Sequence, residues 1–299
     1  MDALIRSLLA ATPPATDDLA TWRAATAAAR DAFATPVDRA LAGGAHADRL
    51  GFAFAGGYTE ALRALVPAAS DVMALCATEE AGGHPRAIKT TLIDRELTGR
   101  KKWATGAASA AALLVVASTG ATPDGKNQLR VVRVATSAPG VRIHASAAPF
   151  VPEITHAEIE LDHVRVSDAD ILPGDGYTDY LKPFRTVEDA HVHAALAGYL
   201  IGVARRHAWH DLVERLLAVA LATREVALAD PKLATTHVAL AGVLALAARE
   251  VADTETRWAT AANAGPDAEH AHWLRDRPLL QVAAAARTAR RERAWQLLP

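Results

Sequence analysis

Trp103 and Thr105 stand two residues apart in the segment Leu97-Thr98-Gly99-Arg100-Lys101-Lys102-Trp103-Ala104-Thr105-Gly106-Ala107, which runs almost directly into an apolar stretch, Ala111–Ala117. On an extended backbone, residues so spaced point to one face of the strand. The pair then offers a flat aromatic wall beside a hydroxyl, which suits a planar ring system that makes hydrogen bonds. The same spacing also fits a hairpin arm carrying an ordinary buried Trp, so the surroundings must decide.

A second concentration of chemistry lies at Tyr180-Leu181-Lys182-Pro183-Phe184-Arg185-Thr186-Val187-Glu188-Asp189-Ala190-His191-Val192-His193. Read as a helix, it carries two acids and two histidines within two turns. Glu188 and Val192 share a face, as do Asp189 and His193. A carboxylate here can act as a general base if burial lifts its pKa toward neutrality. A histidine lining a cavity can act as acid or base near pH 7. The competing reading makes Thr186 an N-cap with Asp189 at the capping-box position, so that the acids favour the helix dipole by about 0.3–1 kcal/mol each. His191 and His193 then become polar surface or subunit contacts.

Other polar residues carry weaker signals. His84 sits in Gly82-Gly83-His84-Pro85, a turn whose glycines let the backbone approach a ligand closely, though a histidine at a loop tip is also simply solvated. The run Arg287-x-x-Arg290-Arg291-x-Arg293 reads as a solvated helix face or an oligomer contact. The 12 histidines form no metal signature. His191-x-His193 splits its imidazoles between helix faces, and no HExxH occurs, so no metal is expected. There is no P-loop, GxGxxG or GxSxG. Cys76, the single cysteine, lies in an apolar strand and reads as a small buried hydrophobe.

The elements that must position these residues fall into three regions. Residues 1–70 read as a short helical region, with Thr16-Asp17-Asp18 capping a run through Leu19, Trp22, Ala25 and Ala29. Residues 71–179 are strand-rich. Candidate strands are Val72–Ala77, Ala87–Asp94, Glu96–Thr105, Ala112–Ser118, Gln128–Ala135, Val141–His144 and Ala157–Val166, with a turn at Thr122-Pro123-Asp124-Gly125-Lys126-Asn127. Residues 180–299 return to helix as an antiparallel bundle. Its helices read as about Thr186–Ala208, Trp209–Leu228, Lys232–Ala262 and Asp267–Leu298, the last broken at Pro278, with a break at Asn263-Ala264-Gly265-Pro266.

The 299 residues are 51% hydrophobic and 22% charged, enough to bury a sizeable core. A net charge of −2 gives no reason to expect nucleic acid or an anionic membrane as partner. One cysteine cannot form an internal disulfide. The start lacks a signal-peptide pattern, and no stretch runs about 18 apolar residues without interruption. The expectation is a cytoplasmic, soluble protein.

Several motifs in order resemble the acyl-CoA dehydrogenase superfamily. The strand Ala74-Leu75-Cys76-Ala77-Thr78-Glu79 is similar to the family's strand before its Thr-Glu-Pro turn. The Trp103/Thr105 segment follows at about the family's distance and resembles its flavin-facing Trp-x-Thr/Ser strand. His156-Ala157-Glu158-Ile159-Glu160-Leu161-Asp162-His163-Val164-Arg165-Val166-Ser167 resembles the closing strand, and Leu172-Pro173-Gly174 leads into the bundle as in the family. The similarity spans roughly Asp71 to Gly202. Glu80 stands where the family has proline, and His84-Pro85 where it has Ser-Asp. Arg205-Arg206-His207-Ala208-Trp209-His210 keeps charge and an aromatic but not the family's Arg-x-x-Phe-Gly segment. The late glycine pair that approaches the adenine dinucleotide has no counterpart; Gly265 is single.

The resemblance implies an α+β fold: N-terminal helices, a central β barrel or sandwich, and a C-terminal antiparallel helix bundle. It implies FAD between the β domain and the bundle, with Trp103, Thr105, Thr78, Glu79 and His84 as cofactor contacts. It further implies a homodimer or homotetramer, an acyl thioester or other small-molecule substrate, and an electron acceptor that the motifs do not specify. Some relatives hold their catalytic glutamate on the first bundle helix. Glu188 is the candidate here, with His191 and His193 beside it, although the family register counted back from Gly198 falls near Val192. Three activities follow: α,β-dehydrogenation of an acyl thioester, flavin-dependent monooxygenation in which histidines replace the glutamate, or a non-catalytic relative that has lost FAD and serves as a partner subunit or binding protein.

Overall fold

The computed structural model describes residues 1–67, 72–262 and 267–299. The division between residues 70 and 71 and the break at Asn263–Pro266 lie outside the described residues. Ten α-helices and seven strands are described. The chain sorts into two compact units. One unit joins residues 1–64, 149–153 and 186–299, so the first and third sequence regions fold together; the other holds 65–148 and 154–185.

In the helical unit, α1 (Asp2–Ala10), α2 (Leu19–Ala25), α3 (Ala27–Asp31), α4 (Pro36–Ala45) and α5 (Leu50–Leu65) come from the N-terminal stretch. Asp18 caps α2 by accepting from the Thr21 N–H, as Thr16-Asp17-Asp18 suggests. The C-terminal stretch gives α6 (Lys182–Arg206), α7 (His210–Leu228), α8 (Ala234–Ala262), α9 (Ala268–Asp276) and α10 (Ala284–Trp295). The last expected helix is broken where Pro278 sits, by a short 3-10 segment, Arg277–Gln281. Helix α8 packs on α7 and α10, yet over Ala234–Ala261 it is long and apolar enough, by length and composition, to cross a membrane. Alanines carry it past the scattered charges that break the run in sequence.

Helices α4 and α5 meet α6 through small residues. A Cβ at Gly57 would stand 2.8 Å from the His191 carbonyl oxygen, and a Cβ at Gly198 would stand 2.9 Å from the Ala45 nitrogen. Only glycine lets these backbones come so close. His191 is therefore pressed against α5.

The β unit is one curled seven-stranded sheet. Its strands are β1 (Met73–Cys76), β2 (Thr91–Ile93), β3 (Glu96–Thr105), β4 (Ala112–Ala121), β5 (Asn127–Ala135), β6 (Val141–Ser146) and β7 (His156–Arg165). The order is β1-β4-β2-β3-β7-β6, with β5 on β4. Strand β4 is buried from Ala112 to Ala117 on both faces, which explains its unbroken apolar run. Strand β7 alternates Ala157, Ile159 and Leu161 inward, then skips at His163, whose φ is 52°, so that Val164 returns to the core.

Candidate functional site

Strand β3 alternates inward at Leu97 and Lys101 until its pairing with β7 shifts between Lys101 and Ala104. Trp103 lies inside that irregularity with φ 57°, in the left-handed region. For a residue with a Cβ this costs about 1–2 kcal/mol. Its side chain is 67% exposed while its neighbour Ala104 is buried. An ordinary core Trp is thereby excluded: the strand spends strain to hold a large aromatic outside the core. Thr105, half-buried, pairs with His156 across the ladder. Thr78 is also half-buried, and its carbonyl accepts from the Lys102 N–H at 2.8 Å, tying the two segments.

Beneath the bulge lies an ion pair that the sequence reading missed. Lys101 is fully buried and its Nζ donates to Glu79 Oε1 at 2.6 Å. The same carboxylate accepts from the Lys89 N–H at 2.7 Å and the Thr90 N–H at 3.0 Å. Burial pushes the Glu79 carboxyl up, but Lys101 and the two backbone donors outweigh it and hold it below the usual carboxylate range. Burial lowers the Lys101 ammonium despite its partner. Glu79, expected as a cofactor contact, is thus occupied by the fold. The signal was available: Lys101 falls in phase with Leu97 on the inward face, and a buried lysine needs a buried acid. His84 is exposed, and its Nδ1 accepts from the Arg86 N–H at 3.2 Å, which opens the 3-10 turn Pro85–Ala87. It caps that turn at the loop tip. A charged depression of about 520 Å³ opens among Glu79, Lys101, Lys102, His144 and Glu158; neither Trp103 nor Thr105 lines it.

On α6 the polar residues separate by face. The helix begins at Lys182, following a wide turn over Gly176–Leu181 that Asp175 caps at Tyr177 N and Thr178 N. Thr186 is therefore inside the helix and is no cap, because Pro183 is tolerated in the first turn. Asp189 is no dipole acid either. It is buried and accepts from Arg287 Nε at 2.9 Å and Arg290 Nη2 at 2.6 Å, both on α10. The arginine run, expected as a solvated helix face or an oligomer contact, spends two members on a buried carboxylate.

His191 and His193 are buried rather than on the surface. Their Nδ1 atoms lie 2.8 Å from the Val187 carbonyl and 2.7 Å from the Asp189 carbonyl, so each Nδ1 carries the proton. Burial lowers both imidazoles to about 4. In His193 the nearby Arg287 adds to that effect. Glu188 is half-buried and lies on a different face of the helix from Asp189 and His193. Cys76 is buried, and burial pushes its thiol up to about 12, far from a nucleophile. Among the described residues no group of three or more His, Cys, Asp or Glu could hold a metal.

No family model matches the chain. A probable acyl-CoA dehydrogenase of Bacillus subtilis (strain 168) is 30% identical over 135 residues, 43% of this chain. The match spans 33% of that relative's length. Among solved structures, dibenzothiophene monooxygenase from Paenibacillus sp. A11-2 superposes with a TM-score of 0.66 at 15% identity, covering 96% of this chain and 93% of that one. Butyryl-CoA dehydrogenase from Megasphaera elsdenii gives 0.62 at 13% identity, covering 99% and 88%. The chain has the acyl-CoA dehydrogenase superfamily fold. An FMN-bound form of the Paenibacillus enzyme is among the matches, with a TM-score of 0.65 at 16% identity over 85% of this chain and 81% of that one.

Within the acyl-CoA dehydrogenase fold, the residues present fit a flavin ring better than a dinucleotide. An exposed, strained Trp103 followed by Thr105, with Thr78 tied alongside, suits a planar ring with hydrogen-bonding edges. The segment expected near a pyrophosphate is committed elsewhere. Arg205 donates to the Ala11 carbonyl at 2.9 Å and Arg206 Nε to Glu269 at 3.1 Å. His207 stacks on Trp209 with centroids 4.4 Å apart.

Proposed function

We propose that this protein is a flavin-dependent oxidoreductase that removes hydrogens from the α and β carbons of an acyl thioester. The observation that carries the reading is Trp103, an exposed indole held in a left-handed backbone at a bulge, with half-buried Thr105 two residues on and half-buried Thr78 tied to Lys102. In this reading Trp103 supplies one face for the isoalloxazine of FAD, and Thr105 and Thr78 donate to its polar edge. The flavin supplies the hydride acceptor. Glu188, half-buried, takes the α-proton on a carboxylate oxygen. His191, neutral at pH 7 with Nδ1 committed, acts only as an acceptor at Nε2. The protein works as a homodimer or homotetramer.

One observation favours a second reading, a monooxygenase on a mononucleotide flavin. Arg205 and Arg206 are already paired within the chain, which removes a grip for the second phosphate and the adenosine. Titrating the purified protein with FAD and with FMN, read by visible absorbance and tryptophan fluorescence, tests both. FAD binding with bleaching by acyl-CoA under anaerobic conditions supports the dehydrogenase. Binding of FMN alone supports the monooxygenase. Binding of neither rejects both and leaves a non-catalytic relative.

A further inference from the structure

The helical unit contains a cavity of about 480 Å³ among α6, α8 and α10, lined by His193, Leu244, Ala248, Val251, Arg287 and Arg291 among others. This volume lies in the range of small-molecule sites. The α8 wall is apolar and built mostly of small side chains. The opposite end is basic. Arg287 and Arg290 share the single carboxylate of Asp189, and Arg291, exposed, has no ion-pair partner among the described residues. Glu255, the one acid lining the cavity, is taken by Trp273 Nε1 at 3.0 Å and Arg277 at 3.1 Å. Positive charge is therefore in excess at one end.

His193 adds a directional requirement. It is 7% exposed and lines the cavity. With Nδ1 donating to the Asp189 carbonyl, Nε2 is a lone-pair acceptor, and it has no partner among the described residues. An acceptor that lines the cavity without a protein donor is placed to take a hydrogen bond from a bound hydroxyl.

We propose that this cavity binds an amphipathic carboxylate bearing a hydroxyl close to its head group. The carboxylate meets the arginine end, the hydroxyl donates to His193 Nε2, and the hydrocarbon lies along α8. Asp189 and His193 occupy a different face of α6 from Glu188, so the site is separate from the proton-abstracting position in the flavin reading and does not depend on it.

Calorimetry on the full chain with 3-hydroxydecanoate, decanoate and decan-1-ol tests the proposal without any flavin. 3-Hydroxydecanoate should bind tightest, decanoate roughly fivefold more weakly for want of one hydrogen bond, and decan-1-ol roughly tenfold more weakly for want of the charge. Arg291→Gln, a surface change, should weaken both carboxylates and leave the alcohol unchanged. Ala248→Trp should block all three. His193→Phe should erase the difference between the two acids; if that variant does not fold, the arginine and alanine variants still decide. The proposal is overturned if no ligand binds, if the three bind equally, or if Ala248→Trp alters the oligomer mass while ligand affinity is absent or unchanged.

Discussion

The bulge in β3 and the start of α6 both place polar chemistry beside tight packing, but in opposite senses. At the bulge the apolar residue is outside and the charge is inside: Trp103 is 67% exposed and Lys101 is fully buried. On α6 the buried polar side chains include Asp189, His191 and His193; Asp189 pairs with arginines of α10, and each histidine donates through Nδ1 to a backbone carbonyl of its own helix. The β site spends backbone strain to present a ring. The helix spends desolvation to hold ionisable groups in one state. Chemistry at the first depends on what is displayed, and at the second on what is kept neutral or paired.

The largest effect that can break this contrast comes from the buried pair. Lys101→Ala leaves Glu79 charged in the interior and should lower stability by about 3–5 kcal/mol in denaturant unfolding. A loss below about 1 kcal/mol would mean the pair is hydrated, and the bulge would lose its rigid floor.

Next come the two histidines. Their folded pKa of about 4 lies below the unfolded value of 6.5, so the unfolded chain takes up protons first as pH falls. Their stabilisation is complete above pH 6.5 and is lost as pH drops toward 4, by about 3 kcal/mol for each histidine. Melting curves from pH 8 to 4 should show this fall, and His191→Gln should flatten it. An unchanged slope would place His191 in contact with water.

Asp189→Asn removes the charge between Arg287 and Arg290 and should cost about 2 kcal/mol, read by thermal unfolding. An unaffected protein would return Asp189 to the role of a dipole acid.

The smallest change sharpens the other side. Trp103→Gly relieves the left-handed strain and should leave stability within about 1 kcal/mol, or raise it, while, on the proposed flavin reading, flavin retention falls. Destabilisation by several kcal/mol with flavin occupancy intact would make Trp103 a structural residue.

Much of this was legible in the chain. Strand β3 runs from Glu96 to Thr105 as its alternation suggests, and the break at Pro278 follows from its missing N–H. The start of α6 was not legible, because a wide turn capped by Asp175 carries helical backbone through Lys182-Pro183. The roles of Glu79 and Asp189 were hidden for another reason: their partners lie 22 and about 100 residues away. Local spacing reports faces and caps, whereas a buried charge is explained only by what the fold brings to it. Trp103 was found as a residue type at a spacing, but its exposure and φ belong to the three-dimensional chain.

The glycine contacts between α4, α5 and α6 have a consequence during synthesis. Helices α4 and α5 are completed long before α6 emerges, since the whole β unit is encoded between them. The apolar faces around Gly44, Gly57 and Leu41 must wait for more than a hundred residues of chain before Ala195 and Gly198 arrive to cover them. A nascent chain stalled within the β unit therefore exposes a sticky helical pair, and covering it requires closing a long loop.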